Sequence, residues 1–330
     1  MRVAVRAPAR LHFGFIDLDG SSGRIFGSIG LAIDEPRLSI EVSPADRLIV
    51  EGDGAGRARM LAQRFLRHYG LRQGAHISIK EMIPAHVGLG SGTQLALGIA
   101  TALARLYSIK ASVRELAPVM GRGARSGIGI AAFERGGFIL DGGRKVRGTR
   151  DPGDPTALPH AIVRHPFPKN WTFVLAIPEV GRGLSGDAEE RVFRRLAARP
   201  ATRPSQVSRI VLMQMLPALL ERDPVAFGRS LTTIQQIVGG WFRPIQGGIF
   251  ASRSGARIAR AMAHAGALGV GQSSWGPTVY GLAENEKQAE ELEQTARVAT
   301  SGRGEASIFR ARANNRGADV RAWPSLTSNL

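Results

Sequence analysis

Pro84-Ala85-His86-Val87-Gly88-Leu89-Gly90-Ser91-Gly92-Thr93-Gln94 is the stretch on which the fold turns. The alternating run His76-Ile77-Ser78-Ile79-Lys80 leads into it and reads as a strand. Residues 93–107 lead out of it as a long apolar segment with helical spacing. Glycines at 88, 90 and 92 let the backbone approach an anion and turn several N–H groups toward it. The following helix adds its unbonded first N–H groups and the positive end of its dipole at the same place. Ser91 and Thr93 contribute hydroxyl donors. Gly88, Leu89, Gly90, Ser91, Gly92 and Thr93 are therefore expected to cradle a phosphate or diphosphate. A plain strand-to-helix turn needs fewer glycines. The G-x-x-x-x-G-K-[ST] pattern is absent. Gly127-Ile128-Gly129-Ile130-Ala131-Ala132 fits G-x-G-x-x-A, but no strand precedes it and no acidic residue is placed to meet a dinucleotide ribose.

Outward from the loop, strands dominate the first half. Residues 2–7 alternate and stop at Pro8; 38–42 and 47–50 are further strands around a turn at Pro44; 136–140 is another. Helices are expected over 58–69 and 112–120. Residues 142–159, rich in Gly, Asp, Pro and Arg, read as a loop or linker. Beyond the strong strand at 171–177 the pattern turns helical, over 188–198, 204–221 and 254–265. A strand at 278–283, a charged helix over 284–299 and a strand at 307–311 close the chain, with a loose polar tail after Asn314. The layout is α+β with two lobes, 1–160 carrying the glycine-rich loop and 161–330 following it, and a cleft between lobes is the default ligand site.

Composition narrows the class. The 330 residues are 43% hydrophobic and 22% charged, as expected of a chain with a real core. The absence of cysteine excludes disulfides, thiolate zinc sites and a cysteine nucleophile, and fits a cytoplasmic location. No apolar run reaches the ~20 residues that span a bilayer, and the N-terminus lacks a signal-peptide pattern, so no membrane partner is expected. The formal charge is +17, and only five of the 44 basic residues are lysine. These residues are scattered, and aromatics are 6%, thin for base stacking, so nucleic acid is not the expected partner.

Pro84-x-x-x-Gly88-Leu89-Gly90-Ser91 is similar to the phosphate-binding motif of the GHMP kinases. Ala7-Pro8-Ala9-Arg10-Leu11-His12-Phe13-Gly14 resembles their N-terminal motif. Gly269-Val270-Gly271-Gln272-Ser273-Ser274-Trp275-Gly276-Pro277-Thr278-Val279-Tyr280 resembles their C-terminal glycine-rich motif, in the homoserine kinase form. The resemblance implies a ribosomal-protein-type N-terminal lobe and an α/β C-terminal lobe. Many of these kinases carry a catalytic Asp in a Ser-Gly-x-Asp stretch; here Ser126-Gly127-Ile128-Gly129 has glycine at that place, and glycine cannot take a proton. Homoserine kinases lack that base as well, so an ATP-dependent small-molecule kinase of the homoserine or mevalonate kinase type stays as the alternative.

Ala9 to Leu18, Arg24 to Asp34, Arg125 to Gly129 through Gly136-Gly137-Phe138, and Gln272 to Thr278 look like the β-ribofuranosylaminobenzene 5'-phosphate synthase branch. That resemblance implies a phosphoribosyltransferase. It would join 5-phosphoribosyl 1-diphosphate to 4-aminobenzoate or 4-hydroxybenzoate, lose carbon dioxide and diphosphate, and serve tetrahydromethanopterin biosynthesis. A homodimer, small-molecule substrates and Mg2+ are implied with it. Beside the motifs, His12, Asp17 and Arg10 are candidate catalytic residues, and Arg24, Arg125, Ser126, Ser273 and Ser274 candidate substrate contacts. Arginine suits carboxylate and phosphate. Asp17, Asp19 and Asp141 are the candidate magnesium carboxylates, Asp17 first, with turn capping as the plainer role. His12 could equally be a structural histidine, and Trp241-Phe242-Arg243 a core segment.

Overall fold

Pro8 does not end the first strand. In the computed structural model, which describes residues 1–146, 157–179, 204–301 and 305–324, β1 runs through it from Arg2 to Asp17. The register against the next strand shifts between Pro8 and Ala9. A bulge at that point removes the need for the N–H that proline lacks. β2 (Arg24–Ala45) is 22 residues long, although only 38–42 carried a strand signal. Before residue 38 it holds Gly27, Gly30 and Pro36, which read locally as turn residues.

β3 (Ile49–Glu51), α1 (Ala55–His68), β4 (Gly74–Glu81) and α2 (Ser91–Leu106) follow as expected to within a few residues. α3 (Val113–Val119) is capped by Ser112, whose side chain and that of Glu115 exchange hydrogen bonds with each other's backbone N–H. α4 (Ile128–Glu134) grows from the stretch that resembled a dinucleotide motif. β5 (Phe138–Asp141), β6 (Arg144–Lys145) and β7 (Ala161–His165) complete this part, β6 lying inside the expected loop. The helix expected over 188–198 lies outside the described residues.

β8 (Thr172–Pro178) opens the second lobe. α5 (Pro204–Ile210), a π-helical turn (Val211–Met215) and α6 (Leu216–Glu221) occupy the expected helical segment. α7 (Pro224–Gln246), 23 residues, was not anticipated. Its two prolines and three glycines read as breakers. Pro224 however sits at the first helical position, where no N–H is needed, and Asp223 accepts from the N–H groups of Val225 and Ala226. α8 (Arg253–His264), β9 (Gly269–Gln272), β10 (Val279–Ala283), α9 (Glu286–Thr300) and β11 (Ala306–Arg312) follow. The expected loose tail forms β12 (Asp319–Trp323), paired antiparallel with β1 from Arg2↔Trp323 to Arg6↔Asp319. Its own pattern is too polar to announce a strand; the open edge of β1 supplies the pairing.

The large sheet has the order β12-β1-β2-β4-β3, with β5 and β6 on the early half of β2 and β7 beyond β5. It thus takes two strands from beyond residue 160. The second sheet is antiparallel, β11-β8-β10-β9. One core joins the lobes. Phe13 of β1 lies 5.9 Å from Phe173 and 5.5 Å from Tyr280 of the second sheet, ring centre to ring centre. Phe227 of α7 meets Phe138, Phe167 and Trp171. β1 therefore sits at the junction, and the side chains of its second half face what lies between the lobes. The architecture is α+β with two lobes.

Candidate active site

The glycine-rich loop has the backbone its sequence asks for. Gly88 and Gly90 adopt φ +85° and +84°, and Gly90 caps α2. A Cβ on Gly88 would stand 2.2 Å from the Ser273 carbonyl oxygen, so a side chain is excluded by contact as well as by conformation. The C-terminal motif clasps the loop from the other side. The Ser273 hydroxyl donates to the Gly88 carbonyl at 2.6 Å and accepts from the His12 N–H at 3.0 Å. Thr278 donates to the Val87 carbonyl at 2.6 Å. Arg10 donates through Nη1 to the Gly88 carbonyl, and its N–H to the Leu89 carbonyl. The three motifs read separately in the sequence are thus one structural unit.

That unit opens on a cavity of about 630 Å³. Its lining brings together Gly88, Gly90, Ser91, Gly92, Thr93, Arg10, His12, Arg125, Ser126 and Ser274 of the expected residues. Leu89 is buried and Ser273 fully enclosed, so both shape the loop from behind. The lining also includes Arg57, Arg122 and His86, giving four arginines, two histidines and no carboxylate. Arg57 of α1 and Arg122, between Gly121 and Gly123, carry no motif; only the packing of α1 beside α2 brings them there. Its electrostatics suit a polyanion. At the place of the kinase Asp, the Cβ position of Gly129 lies 3.4 Å from Thr93 Oγ1, so no base faces the cavity there.

His12 forms the floor. Its side chain is buried, and neither ring nitrogen has a hydrogen-bond partner. Burial first, and the Arg10 charge second, push it down to about 3, so the imidazole is neutral at ordinary pH. The register shift between His12 and Gly14 inserts one extra residue. This brings His12 and Phe15 to the same side, ring centres 4.7 Å apart. Below them Phe15, Phe242 and Trp275 enclose a void of about 20 Å³ with Gln235, Gln246 and Gln272. That is room for about one water, whereas a cavity of roughly 150 Å³ admits benzene. Trp241 and Phe242 are buried core residues, Phe242 packing edge-on to Trp275 at 4.5 Å.

Asp17 and Arg24 line a different cavity, of about 830 Å³, on the other side of Phe15 and Phe26. Its walls are mainly apolar: Ile16, Ile25, Phe26, Leu140, Ile162, Val211 and Leu212. Asp17 caps the turn between β1 and β2, accepting from the N–H groups of Asp19 at 2.8 Å and Gly20 at 3.1 Å; burial raises its carboxyl pKa. Arg24 donates to the carbonyls of Gly142 and Gly143 through Nε and Nη2, leaving Nη1 for another acceptor. Asp141 is buried between the two cavities. It accepts from the N–H groups of Ser28, Gly127 and Gly143 at 2.8–3.2 Å, and burial pushes it up to about 6. The Ser126 hydroxyl, on the anion side, also reaches it at 3.4 Å. Among the described residues no group of three His, Asp or Glu side chains is placed to hold a metal ion. Asp17, Asp19 and Asp141 all serve backbone N–H groups, and none lines the anion cavity. The donor set therefore does not fit a protein-ligated magnesium at the phosphates.

Among the described residues no helix is long and apolar enough to cross a membrane. The family models "GHMP kinases N terminal domain" and "GHMP kinases C terminal" match residues 57–137 and 215–297. Homoserine kinase from Cytophaga hutchinsonii superposes with a TM-score of 0.69 at 20% identity over 97% of both chains. The Methanococcus jannaschii mevalonate kinase does so with 0.65 at 17%, over 94% of this chain and 98% of its own. At such identities the likeness is one of fold. Two sequence relatives go further. Each is a beta-ribofuranosylphenol 5'-phosphate synthase. That of Methanothermobacter thermautotrophicus is 38% identical over 86% of this chain and 89% of its own. That of Archaeoglobus fulgidus is 33% identical over 96% and 98%. With a carboxylate-free cavity at the glycine-rich loop of a GHMP scaffold and this level of identity along nearly its whole length, the chain belongs to the β-ribofuranosylphenol 5'-phosphate synthase family of enzymes.

Proposed function

We propose that this enzyme is a pentosyltransferase. It joins the anomeric carbon of 5-phosphoribosyl 1-diphosphate to the carboxylate-bearing ring carbon of a para-substituted benzoate. The observation that carries this is the pair of cavities with a common wall, one cationic and free of carboxylates, the other apolar with one arginine. The relatives are named for a phenol product, which favours 4-hydroxybenzoate as the acceptor over 4-aminobenzoate. The product would serve the aryl-ribose part of methanopterin-type coenzymes.

The diphosphate lies at the N-terminus of α2 among the arginines, where N–H donors and guanidinium groups stabilise the charge that grows as it leaves. The benzoate is too large for the void beneath His12 and occupies the apolar cavity, its carboxylate turned to Arg24 Nη1. The para oxygen pushes electron density to the carbon opposite, which attacks the sugar. The bond from the anomeric carbon to oxygen breaks and diphosphate leaves with the electron pair. The carbon–carboxylate bond then breaks, carbon dioxide departs, and its electrons restore the aromatic ring. No proton is needed for this balance. That suits a neutral His12, which positions ribose hydroxyls by hydrogen bonding. Asp17, the other catalytic candidate, lines the acceptor cavity as the cap of the β1–β2 turn and is given no proton to move. No step is assigned to magnesium.

The test uses carboxyl-labelled 4-hydroxybenzoate and 4-aminobenzoate with phosphoribosyl diphosphate, trapping released carbon dioxide. Release that needs both substrates, faster with the hydroxyl compound, is expected. No release from folded protein that is stabilised by magnesium-ATP would return the chain to the kinase alternative.

A further inference from the structure

Arg57 and Arg122 stand where α2 begins. The Cβ position of Gly92 is 3.2 Å from Arg57 Nη2 and 3.4 Å from Arg122 Nη1. Arg57 Nη1 and Arg122 Nε are buried with no hydrogen-bond partner. Among the described residues neither takes part in an ion pair. Arg64 adds a third guanidinium nearby, held by the Val119 carbonyl at 2.6 Å. Burial, then the charges of Arg57 and Arg64, lower the pKa of Arg122. Half-buried guanidinium groups crowded together, each with a buried nitrogen unpaired and no counter-charge, are costly in the empty protein. Such an arrangement is expected where a bound anion supplies the missing charge. The unpartnered, buried His12 ring on the floor of the same cavity points the same way, because its nitrogens also await a polar ligand.

No carboxylate lines this cavity, and the crowd of guanidinium groups repels a free divalent cation. Arginine forks can meet two phosphate oxygens each. We propose that Arg57 and Arg122, with the first N–H groups of α2, bind the diphosphate of the sugar substrate directly, so that diphosphate binding requires no divalent cation. The identity of the diphosphate ester rests on the synthase reading; the clamp itself does not.

Calorimetric titration with inorganic diphosphate, on the full chain in buffer containing EDTA, tests this. Wild type is expected to bind, and added Mg2+ to change the affinity by no more than about threefold. Arg57→Gln and Arg122→Gln should each weaken binding ~10- to 100-fold. The exposed Arg6→Gln serves as charge control and should leave binding unchanged. Relief of like-charge crowding means that ligand-free Arg122→Gln should melt no lower than wild type, which a merely structural arginine would not do. Arg122→Lys, which keeps the charge but loses the fork, should fall between the two and covers a failure of the Gln variant to fold. Binding that appears only with Mg2+, or Gln variants that bind like wild type, would overturn the proposal. Carbon dioxide release measured on the same wild-type sample separates the claims. Diphosphate binding without release removes the synthase reading alone, and release with unaffected Gln variants removes the clamp alone.

Discussion

The two cavities differ in almost every physical respect although the ring pair Phe15–Phe26 and the contact Ser126–Asp141 separate them. The anion cavity is built from backbone: a glycine-rich loop, a helix start and guanidinium groups around them. The other is built from aliphatic side chains of β1, β2, β5, β7 and the π-helical turn, with Arg24 and Asp17 at its polar wall. Under the proposed function, the GHMP scaffold offers a cationic site to the leaving group and, beside it, a mainly apolar cavity to the ring. On that reading each substrate has its own contacts, and the reacting carbons must meet at the Phe15–Phe26 boundary between the cavities. The separation predicts that damage on one side changes one substrate's affinity only.

The largest effect is expected at the anion side. Gly88→Ala would put a Cβ against the Ser273 carbonyl at φ +85° and distort the clasp of all three motifs. We expect loss of at least ~100-fold in turnover, with a stability cost of about 1–3 kcal/mol read by melting. Unchanged kinetics would mean that the loop does not hold the leaving group. Arg24→Gln should act on the other side, raising KM for the benzoate ~10-fold or more while leaving KM for phosphoribosyl diphosphate unchanged. Equal effects on both would erase the distinction between the cavities. Leu212→Ser, in the wall of the apolar cavity, should raise the benzoate KM by a few-fold, about 1 kcal/mol of lost apolar contact.

The smallest effect concerns the floor and is one of pH. His12 is neutral in the folded protein down to about pH 3, whereas unfolded histidine takes a proton near 6.5. The unfolded chain then binds more protons, so His12 lowers stability progressively as pH falls below 6.5. Asp141, raised to about 6 from 3.8, works the other way: its contribution is present below 3.8 and lost as pH rises through 6. Melting curves of His12→Gln from pH 7.5 to 4.5 should therefore fall off less steeply toward acid than those of wild type. Parallel curves would show that the ring titrates normally. The pH profile of turnover should show no group near 6.5 that disappears in His12→Gln.

The glycine-rich loop and the helix after it were legible because their signal is local. Glycines at 88, 90 and 92, a strand before and an apolar helix after are chemistry written along one segment. The first and third motifs were legible for the same reason, and with them most strands and helices of regular period. α7 was hidden because Pro224, Gly239 and Pro244 act as breakers only when no tertiary packing holds them; in the fold Val238, Trp241 and Phe242 bury one face of it. β12 was hidden because Asp319-Val320-Arg321-Ala322-Trp323 has no strong apolar alternation, and its strand exists by pairing with β1.

What the amino-acid sequence determined by itself was the scaffold, the anion loop and the absence of a kinase base at Gly129. Each depends on residue type within a short span, where backbone freedom, dipole and the capacity to hold a proton are local properties. Only the tertiary structure decided which of the scattered arginines line the cavity at the glycine-rich loop. It took Arg57 from α1 and Arg122 from a loop after α3 to α2, and it placed Arg24 and Asp17 on the far side of a phenylalanine wall. Side chains separated by dozens of residues become neighbours through sheet register and helix packing. The charge density of a cavity depends on those distances, which no linear pattern contains.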